Sequence, residues 1–306
     1  FKRVLHVYES RILTLMFNGL RPLLIRTPFY QDLPLNSNEY YEFNNAKPSL
    51  YFTPDEIEKG HRILDQMGID TKEIEYVCIF SRDDAYLKNK FPHNNWGYHN
   101  SRDADIDGLI KAVKYLIEKG FTVIRIGSIV KKPINFSHEK LIDYPFSKYQ
   151  SDFMDIFLLA HCKFTLASGA SGLVGTAQCL DTPVLQVNSS ECYKYTPITK
   201  NCLYLPKKYK YRDSNSYIHF KDAIKIAVSQ RERADLGLEA EENSPQEILE
   251  ATEEMLARLE NKFKYSHESE KLIQAYHKLW AGSDTIGSCK TPIGIAWLKK
   301  YQDLYF

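Results

Sequence analysis

The chain has 306 residues, enough for one large or two moderate domains with a real core. Its 40 Lys+Arg balance 39 Asp+Glu, so no global field draws it to nucleic acid or to a membrane. No apolar run approaches the roughly 18 residues of a membrane span. The six cysteines, Cys78, Cys162, Cys179, Cys192, Cys202 and Cys289, show neither C-x-x-C spacing nor the histidine partners of a zinc site.

Read as reduced core residues, the cysteines point to the cytoplasm. The chain opens on Phe1 rather than Met, so further residues upstream are expected. Residues 12–24 read as an amphipathic helix with a break at Pro22, and 28–48, rich in Asn, Pro and Tyr, as loop. Thr53-Pro54-Asp55-Glu56 is a capping box with proline at the first helical position, and Gly68 ends the helix it starts. An alternation then begins. Strand 76–80 is followed by a helix spaced by Ile106, Leu109, Ile110, Val113, Leu116 and Ile117, which stops at Gly120. Strands are expected at 121–126 and 141–144, then a helix capped by Ser151 or Asp152. Strand 164–167, helix 173–180 and strand 183–187 complete the series, with 203–205 as an edge strand. Helices follow at 220–227, at 245–261 behind the capping box Ser244-Pro245-Gln246-Glu247, and at 268–280. Residues 231–243, highly charged, read as a surface connection. Strands alternating with helices in this way predict an α/β fold with a parallel, doubly wound sheet.

In such sheets ligands bind outside the carboxyl ends of the strands. Four segments reach that edge. The turn Ser168-Gly169-Ala170-Ser171-Gly172 joins a strand to a helix start, where unpaired amides and the helix dipole favour a phosphate. Arg82 and Asp83 follow the first strand, His99 and Arg102 precede the first helix of the alternation, and Arg125 ends the second strand. Three arginines around a Gly/Ser turn fit a diphosphate, because guanidinium forks match phosphate oxygens. Each arginine could instead pair with a nearby carboxylate, and Ser and Gly suit any tight turn. Arg125, inside Val123-Ile124-Arg125-Ile126, would be costly to bury unpaired. No Gly-Lys-[ST] follows the turn, so it is not a P-loop. Asp103-Ala104-Asp105 resembles a metal-binding DxD, but capping and the helix dipole account for it, and no metal is expected. His99 is a candidate general base, Asp83 a second base or an orienter of arginine, and Asp152 a cap or a holder of a sugar hydroxyl. Asn188 stands at a strand end.

These segments, with Asp143-Tyr144, Ser151-Asp152-Phe153-Met154-Asp155 and Glu242-Asn243-Ser244-Pro245-Gln246-Glu247-Ile248, resemble in order and spacing the motifs of a family of bacterial glycosyltransferases of GT-B-like architecture, found among surface-polysaccharide genes. The resemblance covers roughly residues 50–306. A more distant similarity is to the donor half of fucosyltransferase-like enzymes, in which an arginine after the first donor-domain strand binds the nucleotide diphosphate. Arg82 stands at that position, and Phe80 stands where those enzymes often carry histidine. The resemblance implies a nucleotide-sugar donor and no metal or cofactor. The diphosphate would lie over Ser168, Gly169, Ser171 and Gly172, held by Arg82 with Arg102 or Arg125; His99 or Asp83 would be the base. Asp152 and Asn188 complete the expected donor site. The acceptor would be a glycan or lipid-linked glycan, met in the cytoplasm or at the inner face of the membrane, with a peripheral membrane or assembly partner and no nucleic acid. The expected division is an N-terminal acceptor-side segment at 1–70, shorter than a full second Rossmann half, a donor domain at 71–261, and C-terminal helices at 262–306 that pack back on the N-terminal part. A non-catalytic nucleotide- or glycan-binding module and a nucleotide-sugar epimerase remain alternatives.

Overall fold

A computed structural model describes residues 11–28, 44–45, 50–70, 75–190, 199, 201–214, 216–220, 222, 235–279 and 291–306. The chain divides into two compact units, Phe1–Ser37 and Asn38–Phe306. In the first, helix α1 (Arg11–Leu24) runs through Pro22 without ending there. Pro22 lies in the last turn, and the amide of Ile25 still reaches the carbonyl of Arg21 at 3.0 Å. The loop expected at 28–48 and the helix expected at 220–227 lie largely outside the described residues.

The second unit is built on six parallel strands: β1 (Tyr76–Ser81), β2 (Thr122–Arg125), β3 (Leu141–Asp143), β4 (Thr165–Ser168), β5 (Val184–Ser189) and β6 (Leu203–Pro206). Their order is β3-β2-β1-β4-β5-β6, a Rossmann-like doubly wound arrangement. Every residue of β1, β2, β4, β5 and β6 is buried, as expected when helices cover both faces. The period of two sorts the side chains. Val77, Ile79, Val123, Leu166, Leu185 and Leu203 face a core shared with α4 (Ile110–Glu118) and α7 (Pro245–Leu259). Cys78, Phe80, Ile124, Ala167 and Val184 face α2 (Pro54–Gln66), α5 (Asp152–His161) and α6 (Gly172–Cys179). A single turn, α3 (Ala85–Lys90), follows β1.

Both capping boxes form. The Glu56 amide donates to Thr53 Oγ1 at 3.3 Å while the Thr53 amide donates to Glu56 Oε2 at 2.7 Å. Ser244 and Glu247 repeat this at α7. Ser151, rather than Asp152, caps α5. Helix α2, read as part of the N-terminal segment, shares a core with α5 within the second unit. The C-terminal helices α8 (His267–Leu279), α9 (Ile295–Lys300) and α10 (Gln302–Tyr305) pack on the opposite sheet face, not on α2. Tyr276, Trp297 and Tyr305 complete the apolar cover over Leu203 and Leu205. The segment before α9 also shields the edge strand: the Tyr204 amide donates to Pro292 and the Gly294 amide to Tyr204.

One pair of strands differs from the expectation of a surface connection. Strands β7 (Lys208–Tyr211) and β8 (Leu238–Glu241) form an antiparallel ribbon. Its alternation is masked by Glu239 and Glu241, which pair with the exposed Arg212 and the buried Lys208, while Tyr209 and Leu238 pack with Ile218. Among the described residues no helix is long and apolar enough to cross a membrane.

Gly60 sits where α2 meets α5, and a Cβ there would lie 2.1 Å from the Phe157 ring. A glycine-to-alanine change inside a helix ordinarily stabilises by about 1 kcal/mol. Here the ring is held among Phe52, Phe153 and His161 and cannot yield. Gly60→Ala is therefore expected to destabilise by about 1–3 kcal/mol, seen as a lower urea midpoint with an unchanged slope.

Candidate functional site

The strand order reverses between β1 and β4. Their carboxyl ends are in register at Ser81 and Ser168, and the Arg82 amide makes a last ladder bond to the Ser168 carbonyl at 2.9 Å. The crossover from β1 uses α4 on one face and the crossover into β4 uses α5 on the other, so the chains diverge beyond this bond. The crevice they leave is a cleft of about 530 Å³.

The cleft lining is mixed. Its cationic and amide-rich part is Arg82, Arg102 and the start of α6 at Ala170, Ser171 and Gly172. Ser171 caps α6: its Oγ accepts from the Leu173 amide at 3.3 Å and its carbonyl from the Val174 amide at 3.1 Å. The Gly172 amide, at the first helical position, has no intrahelical acceptor. Phe80, Leu87, Ile126 and Leu173 add apolar surface.

Gly169 makes this geometry possible. Its φ is +82°, and a Cβ would lie 2.3 Å from the Arg102 carbonyl oxygen. Only glycine allows the turn after β4 to touch the segment that carries Arg102. The Arg102 Nη2 in turn donates to the Ala170 carbonyl at 3.4 Å. Arg82 pairs through Nη1 with Asp103. Burial lowers the Arg82 pKa, opposed by Asp103. Burial also pushes the Asp103 carboxyl up to about 6, against the pull of Arg82.

The other expected site residues fall in three places. Asp83 lines the cleft, but both its carboxylate oxygens are taken by backbone amides, Oδ1 by Ala85 and Oδ2 by Lys131, each at 2.9 Å. It orients backbone rather than an arginine. His99 lies on the 3-10 turn Gly97–Arg102, its side chain outside the described residues. Arg125, 1% exposed, donates through Nη1 to the Lys132 carbonyl at 2.7 Å and to Asp143 at 3.3 Å. The cost of a charge in an apolar strand is met by the carboxylate of the neighbouring strand, and Arg125 lines a different cavity from Arg82 and Arg102. Ser168 and Asn188 belong to a buried clamp. The Asn188 amide donates to Asn243 Oδ1 at 2.7 Å, the Asn243 amide to Asn188 Oδ1 at 2.6 Å, and Asn188 Nδ2 to Ser168 Oγ at 3.0 Å. Asn243 Nδ2 also reaches the Pro206 carbonyl at 2.9 Å, so the ends of β4, β5 and β6 are tied to the start of α7. Asn188 has φ +53°, a conformation that Asn accepts more readily than most residues.

Asp152 is exposed on the first turn of α5, and Asp155 lines the cleft in its place. Asp155 Oδ1 is buried with no hydrogen-bond partner, and burial raises the pKa of the group, opposed by the Tyr144 hydroxyl. Helical phase could have found it: Met154, Leu158 and Leu159 surround Asp155 and are all buried. Among the described residues no group of three or more acidic, histidine or cysteine side chains could hold a metal ion. Comparison with protein-family models, curated proteins and solved structures finds no match for the chain.

Gly169→Ala is expected to cost more than Gly120→Ala. Both glycines have positive φ, at +82° and +98°, but a Cβ on Gly120 meets nothing within 4 Å. Left-handed strain of about 1–2 kcal/mol is common to both. The excess at Gly169, read from chemical denaturation, reports the contact with the Arg102 backbone; equal losses would show that the contact yields freely.

Proposed function

We propose that this protein is a glycosyltransferase that moves a sugar from a nucleotide-sugar donor to a glycan or lipid-linked acceptor in surface-polysaccharide or glycoconjugate synthesis. The observation that carries this reading is the lining of the cleft. Arg82, Arg102 and the α6 start suit a diphosphate, and Phe80, Leu87, Ile126 and Leu173, which line the same cleft, suit a base. The parallel sheet and the placement of the cleft at its reversal support a nucleotide ligand. A GT-B architecture and the polysaccharide setting rest on the motif resemblance alone.

In the proposed reaction the acceptor hydroxyl attacks the anomeric carbon and the bond to the diphosphate breaks. Arg82, Arg102 and the Gly172 amide at the start of α6 stabilise the charge that develops on the leaving diphosphate. Asp155, with its unpartnered oxygen, would accept from a hydroxyl or N–H of the donor. A second reading, a non-catalytic nucleotide- or glycan-binding module, is favoured by the engagement of both Asp83 oxygens, which removes one candidate base.

UDP, GDP, CMP or ADP is expected to stabilise the protein by about 2.7 kcal/mol at a hundredfold excess over its dissociation constant. Arg82→Ala is expected to abolish the resulting rise in melting temperature. Arg125→Gln, which breaks the pair with Asp143, is expected to lower the melting temperature and leave the rise intact. If no nucleotide stabilises the protein at millimolar concentration, the donor reading fails. Release of free sugar from the matching nucleotide sugar then separates the enzyme from the binding module.

A further inference from the structure

A second cavity of about 520 Å³ opens beside the first. Ser81 and Asp83 line both. The second is lined mainly by charge, with Asp83, Asp84, Asp103, Asp105 and Glu242 alongside Arg125, Lys131 and Lys132. Much of that charge is already paired: Asp84 with Lys88 at 2.5 Å and Asp105 with Lys132 at 2.8 Å. Five carboxylates against three cations oppose an anion, and among the described residues no cluster of three or more acidic, histidine or cysteine side chains could hold a metal ion. Paired acids and amines that both donate and accept fit a neutral, hydroxyl-rich ligand.

The partition between the cavities is the Arg82–Asp103 pair. Arg82 lines only the first and Asp103 only the second. The Asp103 backbone is held independently of its carboxylate. Its carbonyl accepts from Lys207 Nζ at 2.7 Å and its amide donates to Asn100 at 3.1 Å. The carboxylate can therefore change partner while the loop stays in place.

We propose that this pair couples two subsites: a diphosphate entering the first cleft takes Arg82, and Asp103, left facing the second cavity, accepts the proton of a sugar hydroxyl bound there. The inference rests on the donor reading above. In the step, the acceptor oxygen bonds to the anomeric carbon, the carbon–oxygen bond to the diphosphate breaks with its electron pair on the leaving group, and the hydroxyl proton passes to Asp103. The groups that bear on Asp103 are Arg82 and Lys207, which lower its pKa, and Asp83 and Asp84, which raise it; Lys88 senses it from α3. Burial already holds the group at about 6, and withdrawal of Arg82 removes a charge that lowers it, so Asp103 becomes a stronger base as the diphosphate binds.

The test is titration calorimetry of UDP, GDP, CMP and ADP at about pH 6.5 in buffers of different ionisation enthalpy, a design that counts protons exchanged on binding. Wild type and Asp103→Asn are compared, with Asp84→Asn as a control. Protons from the ligand's own phosphates are common to all three proteins and cancel in the difference. The expected result is a fraction of a proton more taken up by wild type and by Asp84→Asn than by Asp103→Asn, with nucleotide affinity in Asp103→Asn equal or tighter. Equal uptake in wild type and Asp103→Asn, or a tenfold loss of affinity in that variant, overturns the proposal while leaving the donor reading intact. If none of the four nucleotides binds wild type, both fall. Should Asp103→Asn not fold, the wild-type affinity decides: beyond the ligand's own titration, proton uptake makes it fall as pH rises from 6 to 8, and a flat profile overturns the coupling.

Discussion

Everything at the candidate site follows from the reversal of strand order between β1 and β4. A parallel sheet whose crossovers change face at one point must leave its two central strands without a shared loop at their carboxyl ends. The final ladder bond, from Arg82 to Ser168, marks where pairing stops. Beyond it the backbone of each strand turns away, and side chains that follow the strands directly are delivered to a common crevice. Arg82 arrives there from β1, and Ala170, Ser171 and Gly172 arrive from β4. Arg102 is brought in by the approach to α4, and that approach is permitted by the missing side chain of Gly169.

A second layer of structure holds the edge rigid. The reciprocal amide pair of Asn188 and Asn243 satisfies buried donors and acceptors on both partners and links three strand ends to α7. Buried polar groups of this kind are costly unless fully paired. Arg125 with Asp143 serves the neighbouring side, fixing the segment around Lys132 and Ile134 to β2 and β3. These residues have the chemistry of ligand binding but spend it on the scaffold. Arg82, Arg102 and Asp155, by contrast, line the cleft.

Much of the fold was legible in the sequence. The six strands fall within two residues of their expected positions at nearly every end, because buried parallel strands are continuous apolar runs bounded by Gly, Pro or a capping residue. Both capping boxes were readable because their chemistry is local. The β7–β8 ribbon was not, because four-residue strands rich in Lys and Glu hide their period when the charges pair across the ribbon. At the site, the arginines and the Gly/Ser turn could be read as a group, but not which of them line the same cleft. Arg125 is sequestered by a carboxylate on an adjacent strand, Asp143, eighteen positions away. Asp152 and Asp155 are equivalent as residue types and share a helix face; Asp152 stands at the first helical position and is exposed, while Asp155, one turn further in, is flanked by the buried Leu158 and Leu159.

The cover over β6 has a consequence away from the site. The strand lies at the open margin of the sheet, and the short run from Pro292 to Gly294 occupies its backbone groups while Trp297 and Tyr305 seal the face behind it. None of these residues lines the cleft. A chain cut ahead of this run would keep the whole binding constellation yet present an unpaired apolar strand to its neighbours. Its failure would be one of colloidal behaviour as much as of cleft chemistry, so the last fifteen residues act for this protein as a built-in guard against self-association.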